Sequence, residues 1–300
     1  MDFDQLTTFV QVAKLKSFSK AGQKVFRSQS AVSAQIRQLE QAYKAKLLDR
    51  SAKSVELTPA GGVLFDYAER LLRLRDESMQ IVADRGSVIQ GPITFGANEA
   101  TCLYLLPDIL AEFRHRYPLV HISIYRNFSH KILQRLEEGS LDLGIVTLPL
   151  KSPNLKMHVI NRDRLRFMVS SKNPLAHRSS VTLEEIAAAP LIFPKTGYTR
   201  QVLDKLFRPH RSRLQIAMEL PSVSMIKTFV AADVGISIIS ESFARDQVKG
   251  GEVKLLNVEG VDLWRELALV YRRDRSLPRA VQALINMIRE SRKPVEGAHA

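Results

Sequence analysis

The chain has a single cysteine, Cys102, among 300 residues. That excludes a disulfide framework within the chain and a four-thiolate zinc site. Long apolar runs are missing too. No stretch reaches the roughly 18 apolar residues that would span a membrane. The opening MDFDQLTTFV has neither a basic segment nor an apolar one after it, so no secretory leader is expected. Together these absences point to a reducing, cytoplasmic compartment. Acidic residues are also in short supply, with 31 Asp and Glu against 44 Lys and Arg, a net charge of +13. What is present is ordinary globular composition, 45% apolar and 25% charged, which excludes wholesale disorder.

A basic excess of this size suits nucleic acid, a membrane surface or an anionic ligand. Its distribution does not choose among them. Residues 1–60 hold 10 basic and 5 acidic side chains, net +5. Residues 61–90 are net −1 and residues 91–300 net +9. Pattern must locate the function.

In residues 4–16, Leu6, Phe9, Val10, Val12 and Ala13 form a helical stripe. Ser17 and Ser19 can cap a short second helix through Ala21, Val25 and Phe26. Ser28 can cap a third, over residues 29–43, whose apolar stripe is Val32, Ile36 and Leu39. Residues 47–50 and 54–57 read as two short extended pieces, a β-wing. Thr58-Pro59 is a strong helix start, and that helix can run to about residue 85, roughly 42 Å at 1.5 Å per residue. Along it Leu64, Tyr67, Leu71, Leu74, Ser78 and Ile81 step by 3, 4, 3, 4 and 3, a coiled-coil seam. A helix packed on its own domain is the alternative. The seam is preferred because so long a helix has no partner in the small N-terminal unit. Residues 85–87 and Gly91-Pro92 mark a hinge.

Beyond residue 91 short strands and helices alternate. Strands are expected at 93–96, 120–125 and 141–147, with helices at 101–116 and 131–138. That order implies a parallel sheet covered by helices. A second set follows, with strands at 166–170, 191–193, 215–219, 235–239, 253–256 and 266–271. Its helices are expected at 183–188, 200–207, 224–232 and 279–292. The run at residues 208–213, RPHRSR, reads as a solvated loop.

Two short helices joined by a tight turn make a helix-turn-helix. The second presents Ser28, Gln29, Ser30, Ser33 and Arg37 on its polar side, groups suited to base edges or phosphates. Arg50 and Lys53 on the wing suit phosphate or minor-groove contact. The same side chains also fit a solvated helix face, and spacing alone does not separate the two readings.

The segments FxxVAKLKSFSKAGQKVFRSQSAVSAQIRQLE and LLDRSAKSVELTPAG resemble the N-terminus of LysR-type transcriptional regulators. Downstream, GPITFGAN, LLPDILAEFRHRYP, LEEGSLDLGIV and FVAADVGISII look like that family's effector-binding half. The resemblance implies an α/β protein in three parts. Residues 1–58 would be a winged helix-turn-helix, and residues 59–90 a dimerising linker helix and hinge. Residues 91–300 would be a two-lobed α/β effector domain like type 2 periplasmic binding proteins. Lobe I would take residues 91–161 and 266–300, and lobe II residues 162–265. It implies double-stranded promoter DNA, a small-molecule effector and further copies of the chain, as a homotetramer, for partners. Several positions depart from the family pattern. Gly22 stands for a common alanine, Ala34 for a frequent arginine, Lys44 for a usual glycine and Leu48 for a usual phenylalanine. Asp233 and Ser240 stand for a common glycine and proline. Gly22 should cost about 1 kcal/mol of helix propensity, and Lys44 puts the left-handed helix stop in question.

In doubly wound lobes, ligands sit at strand carboxyl ends near helix N-termini, which favour anions. By resemblance, Asn98, Glu99, Ala100, Thr101, Ser129, Thr147 and Thr196 line the effector pocket. The hydroxyls of Thr101, Ser129, Thr147 and Thr196 suit a small carboxylate or oxyanion; they also fit helix caps. Glu99 opposes a purely anionic site unless it points away. Cys102 reads as a small buried hydrophobe, and the seven histidines show no metal-ligand spacing. No nucleophile elbow or phosphate loop supports an enzyme, so neither a cofactor nor a catalytic residue is expected. Two other functions compete with the effector-controlled regulator. One is a nonspecific DNA-binding protein with a vestigial sensor, the other a cytoplasmic solute-binding protein.

Overall fold

The computed structural model describes residues 1–49, 55–83, 88–274 and 276–291. It divides into two compact units, residues 1–88 and 89–300.

In the first unit each helix starts where a side chain can accept from the free backbone N–H groups of the first turn. Asp2 and Gln5 form a capping box ahead of α1 (Phe3–Leu15). Ser17 caps α2 (Phe18–Lys24) and Ser28 caps α3 (Gln29–Tyr43). Leu6, Phe9, Val12, Ala21, Val32, Ile36 and Leu39 close a small core among the three helices. Phe26, expected on the apolar stripe of α2, is instead 95% exposed in the turn, at φ 56°. The helix stops at Lys24, and the left-handed residue swings the ring outward. Lys44 takes the left-handed conformation at the end of α3, φ 50°, as a glycine would. The wing consists of β1 (Leu48–Asp49) and β2 (Glu56–Leu57), paired antiparallel. Glu40 is buried, and its carboxylate accepts from the backbone N–H of Leu47 and Leu48, which fixes the start of the wing.

Thr58 donates to the Lys46 carbonyl and accepts from Gly61 N–H, launching α4 (Pro59–Ala83). The expected seam is modified at its first step. Leu64 is buried with Ala68 in the core of its own unit. The side of α4 left exposed carries Val63, Tyr67, Leu71 and Leu74, and continues with Met79 and Val82. The Ile81 side chain and residues 84–87, which include the first part of the expected hinge, lie outside the described residues; its second part, Gly91-Pro92, is instead the start of a strand.

The second unit opens with β3 (Gly91–Ala97), α5 (Glu99–Tyr104), α6 (Leu106–Arg116), β4 (Val120–Arg126), α7 (Ser129–Glu137) and β5 (Leu143–Thr147). The single helix expected at 101–116 is two, broken at Leu105. Strand β3 runs parallel to β4 and β5, as the alternation implied. The next element differs from expectation. In place of a short strand at 166–170, β6 (Leu155–Ser170) is sixteen residues long. Then come α8 (Leu183–Ala188), β7 (Pro190–Pro194), α9 (Tyr198–Leu206), β8 (Gln215–Leu220), α10 (Val223–Ala231) and β9 (Ser237–Ser240). The RPHRSR run before β8 is a 3-10 turn rather than a loop. The unit closes with α11 (Arg245–Lys249), β10 (Val253–Leu255), β11 (Leu263–Arg272) and α12 (Arg279–Ser291).

The seven-stranded sheet runs β10-β6-β11-β5-β3-β4, with β9 also on β6. It is mixed, because β11 lies antiparallel between β5 and β6. The paired strands β6 and β11 run through both halves of the unit. Ile160, Leu267 and Leu269 enter one core, with β3, β5 and α12. Leu165, Phe167 and Val169 enter another, with α8, α9 and β7. This unit is thus two-lobed, with β6 and β11 as the shared spine.

Candidate functional site

In the first unit, α3 is fixed from one side. Val32, Ile36 and Leu39 are fully buried, so its orientation is set by the core. Ser28, Gln29, Ser30 and Arg37 are exposed on the other side, and Ser33 is half-buried. The Ser28 hydroxyl accepts from Ala31 N–H and lies 2.9 Å from the Ser30 hydroxyl. Ser19 of α2 donates to the Gln29 side-chain carbonyl at 3.3 Å. These contacts hold the N-terminal turn of α3 as an array of hydroxyl, amide and guanidinium groups on a rigid helix. Arg50 and Lys53 lie outside the described residues.

The second unit holds a cavity of about 280 Å³ between its lobes. Asn98, Glu99, Ala100, Ser129, Thr147 and Thr196 all line it. Thr101 does not; it is fully buried beneath, and its backbone N–H donates to the Asn98 cap. The N-termini of α7 and α9 open into the cavity at Phe128 and Gly197, neither of which caps its helix with a side chain. Free N–H groups there favour negative charge. Gly197 sits at φ 95°, a conformation that a side chain would strain, and lets the chain turn against the Phe128 ring.

Ser129 is engaged within the protein, its hydroxyl accepting from Thr147 N–H at 3.0 Å. Glu99 is held as well. It accepts from the Ser222 hydroxyl at 2.6 Å, across the lobes, and lies 3.9 Å from Arg126. Glu99 thus lines the cavity as a carboxylate held in a lobe-to-lobe contact, with Arg126 as its neighbouring cation. A second such contact comes from buried Lys227, whose ammonium donates to the Tyr104 hydroxyl at 3.1 Å and to the Phe243 carbonyl at 2.7 Å. Tyr104 stacks on Phe243, tying α5 to the far lobe. Cys102 is half-buried against the first lobe's core, and burial raises its thiol pKa. That suppresses the thiolate.

Spacing gave no hint of several wall residues. Pro149, Tyr198, Ser240 and Arg265 line the cavity from four separate stretches of chain. Arg265 and Asp163 are both buried and face each other at 3.6 Å across β11 and β6. Burial lowers the Arg265 pKa to about 10, opposed by the Asp163 charge. Among the described residues no group of His, Cys, Asp or Glu could hold a metal ion, and no helix is long and apolar enough to cross a membrane.

Comparison with known proteins agrees with this geometry. Residues 3–62 match the profile of the bacterial regulatory helix-turn-helix protein, lysR family. Residues 86–293 match the LysR substrate binding domain. The chain is 31% identical over 283 residues to the uncharacterized HTH-type transcriptional regulator YeiE of Escherichia coli, covering 94% of this chain and 95% of that one. It is 28% identical to the HTH-type transcriptional activator CmpR of Synechocystis, over 95% of this chain and 93% of that protein. Full-length CbnR in complex with its target DNA shares the fold, with a TM-score of 0.72 at 20% identity, covering 97% of this chain and all of that one. With a helix-turn-helix, a two-lobed substrate-binding domain and relatives matched over nearly their full length, the chain belongs to the LysR family of transcriptional regulators.

Proposed function

We propose that this regulator is a sequence-specific DNA-binding protein of the cytoplasm, without catalytic activity, whose action is set by a small anionic effector held between the lobes. The observation that carries this reading is the division of α3: one side locked into a core, the other an exposed array of Ser28, Gln29, Ser30 and Arg37. Gln29 suits adenine, the serines donate or accept, and Arg37 suits guanine or phosphate. Arg50 and Lys53 take phosphate. In the second unit Asn98, Glu99, Ala100, Thr101, Ser129, Thr147 and Thr196 form or support the effector pocket. An effector acts only if it binds two conformations unequally, and the contacts of Glu99 and Lys227 between lobes are what such a ligand would favour or disturb. Two chains pair through α4, with residues 1–58, 59–90 and 91–300 as DNA-binding, linker and effector parts, and pairs assemble into a tetramer.

A gel shift on the protein's own upstream region, against random DNA at several salt concentrations, tests the reading. Preferential binding of the upstream region is expected at about 0.15 M salt, and equal affinity for both DNAs would favour the nonspecific binder. Gln29→Ala and Ser33→Ala are expected to relax sequence preference by about 1–3 kcal/mol each.

A further inference from the structure

The second unit carries one stretch of chain whose basic charge no acid answers. From Lys205 to Met218 there are four Lys and Arg and no Asp or Glu. The stretch is held rigidly. Arg208–Arg213 is a 3-10 turn pinned at both ends. Phe207 before it is 1% exposed, with its ring 6.0 Å from that of Phe167 and 6.1 Å from that of Phe193. Leu214 after it packs against the same core. His210 faces Glu184 of α8, its Nε2 at 3.8 Å from the carboxylate. Lys205, Arg208, Arg211 and Arg213 are exposed. Residues three apart in a 3-10 turn eclipse, so Arg208 and Arg211 share an edge. The neighbouring acids are engaged elsewhere. Asp204 and Glu219 both hold Arg200, and Glu185 of α8 holds Arg178. Among the described residues none of the four exposed cations has a side-chain hydrogen bond or ion pair.

We propose that this turn is a second DNA contact, in which Lys205, Arg208, Arg211 and Arg213 take the phosphate backbone of duplex DNA beyond the segment held by the first unit. The proposal rests on the first unit's binding DNA, and not on which bases α3 reads. Like charges held together repel, and here no carboxylate of the chain relieves them. A polyanion does. Duplex DNA presents one negative charge about every 1.7 Å of its axis, so several cations find partners at once. Arginine suits phosphate in particular, through its paired N–H donors. The composition of the turn argues against other partners. A platform for single-stranded bases needs an exposed ring, and Phe207, the one Phe, Tyr or Trp of the stretch, is buried. A protein partner is anchored by large apolar or aromatic side chains at the centre of a patch, and residues 208–213 offer none. The partner is also at hand. A unit tied through its own chain to one that holds DNA meets phosphates at high effective concentration, so contacts that are weak singly suffice together. Part of the +9 carried by residues 91–300 thereby gains a purpose.

The test uses the full chain with a long duplex from its own upstream region, and a random duplex of equal length beside it. Binding is followed by gel shift from about 0.05 to 0.3 M potassium chloride. The triple variant Arg208→Gln, Arg211→Gln, Arg213→Gln is expected to flatten the slope of log affinity against log salt by about 0.9 for each lost contact, about 2.7 for one chain. Arg211→Gln alone is expected to flatten it by about 0.9. Affinity for the two duplexes should fall alike, at least about tenfold in the triple variant at the lowest salt, because phosphate contacts carry no sequence information. The melting temperature should not move, since these side chains bond nothing in the chain. A second triple variant, Arg245→Gln, Lys249→Gln, Lys254→Gln, removes the same charge from exposed positions on α11 and β10, and is expected to keep the wild-type slope. An unchanged slope in the first variant, or an equal change in the second, would overturn the contact. So would wild-type DNA binding by the first variant with lost transcriptional output, which would assign the turn to a protein partner. If upstream and random duplexes bind alike and the first variant still flattens the slope, the contact stands and the reading of α3 falls. If the upstream duplex is preferred and the slope does not change, the contact alone falls.

Discussion

Gly22 illustrates how two residue-scale effects of opposite sign are decided by distance. Replacing it with alanine would gain about 1 kcal/mol of helix propensity. A Cβ at that position, however, would lie 2.6 Å from the Arg27 carbonyl oxygen, which cannot move away because Arg27 N–H is bonded back to Gly22 O. Forcing atoms into a packed site costs about 1–3 kcal/mol, so the overlap wins. Gly22→Ala is expected to lower stability by about 1 kcal/mol in urea denaturation, where propensity alone predicts a gain. The glycine that looked like a cost in the sequence is the residue that lets the turn close. Lys44 makes a related point. Its left-handed backbone is strained for a residue with a side chain, yet the helix stop forms, because its N–H and that of Ala45 both return to carbonyls of the last turn.

Among the elements, α4 stands out because its first turns and its remainder serve different ends. Leu64 and Ala68 point into the three-helix core, and Lys14 of α1 reaches Glu69 at 2.8 Å. Tyr67, Leu71 and Leu74 sit on another side and stay exposed, Leu74 at 63%. Apolar side chains spaced by four and three along an exposed helix suit a second helix of the same kind. A glutamate at the centre of such a seam would be buried without a partner, which costs several kcal/mol. Leu74→Glu is therefore expected to weaken self-association by about 100-fold or more, each tenfold being about 1.4 kcal/mol. Sedimentation velocity across a concentration series measures this, and an unchanged sedimentation coefficient would remove α4 from the interface.

For the whole molecule, stability depends on how the two-stranded spine is held, and part of that hold titrates. His158 on β6 lies 3.0 Å from the Tyr271 hydroxyl of β11. Burial, with Arg289 and Lys156 nearby, lowers its pKa below the ordinary 6.5. The unfolded chain therefore takes up this proton at higher pH than the folded one. Stability is full above about pH 6.5 and falls as the pH drops toward the lower, folded value. His158→Gln should flatten the dependence of the melting temperature on pH between 5 and 7, whatever it does to the absolute value. An unchanged slope would assign the dependence to other groups.

The sequence by itself determined the local elements of this protein and their order. Capping residues, helical stripes and the Thr58-Pro59 start depend on neighbours three or four residues away, so the helix-turn-helix and α4 could be read directly. The basic excess could not be assigned to any one part. Tertiary structure decided the rest. Strand β6 was half hidden because its first part, from Leu155, mixes Lys156, His158, Asn161 and Arg162 into the run and shows no clean alternation. Phe26 and Leu64 changed sides because turn geometry and an adjacent core overrode periodicity. The cavity was legible in its polar rim, at helix starts such as Asn98 and Ser129. Its floor was not, since Ser240 and Arg265 become neighbours only through the pairing of β9, β6 and β11. Backbone signals are short-ranged, whereas a pocket is built from side chains that only the sheet register brings onto one face.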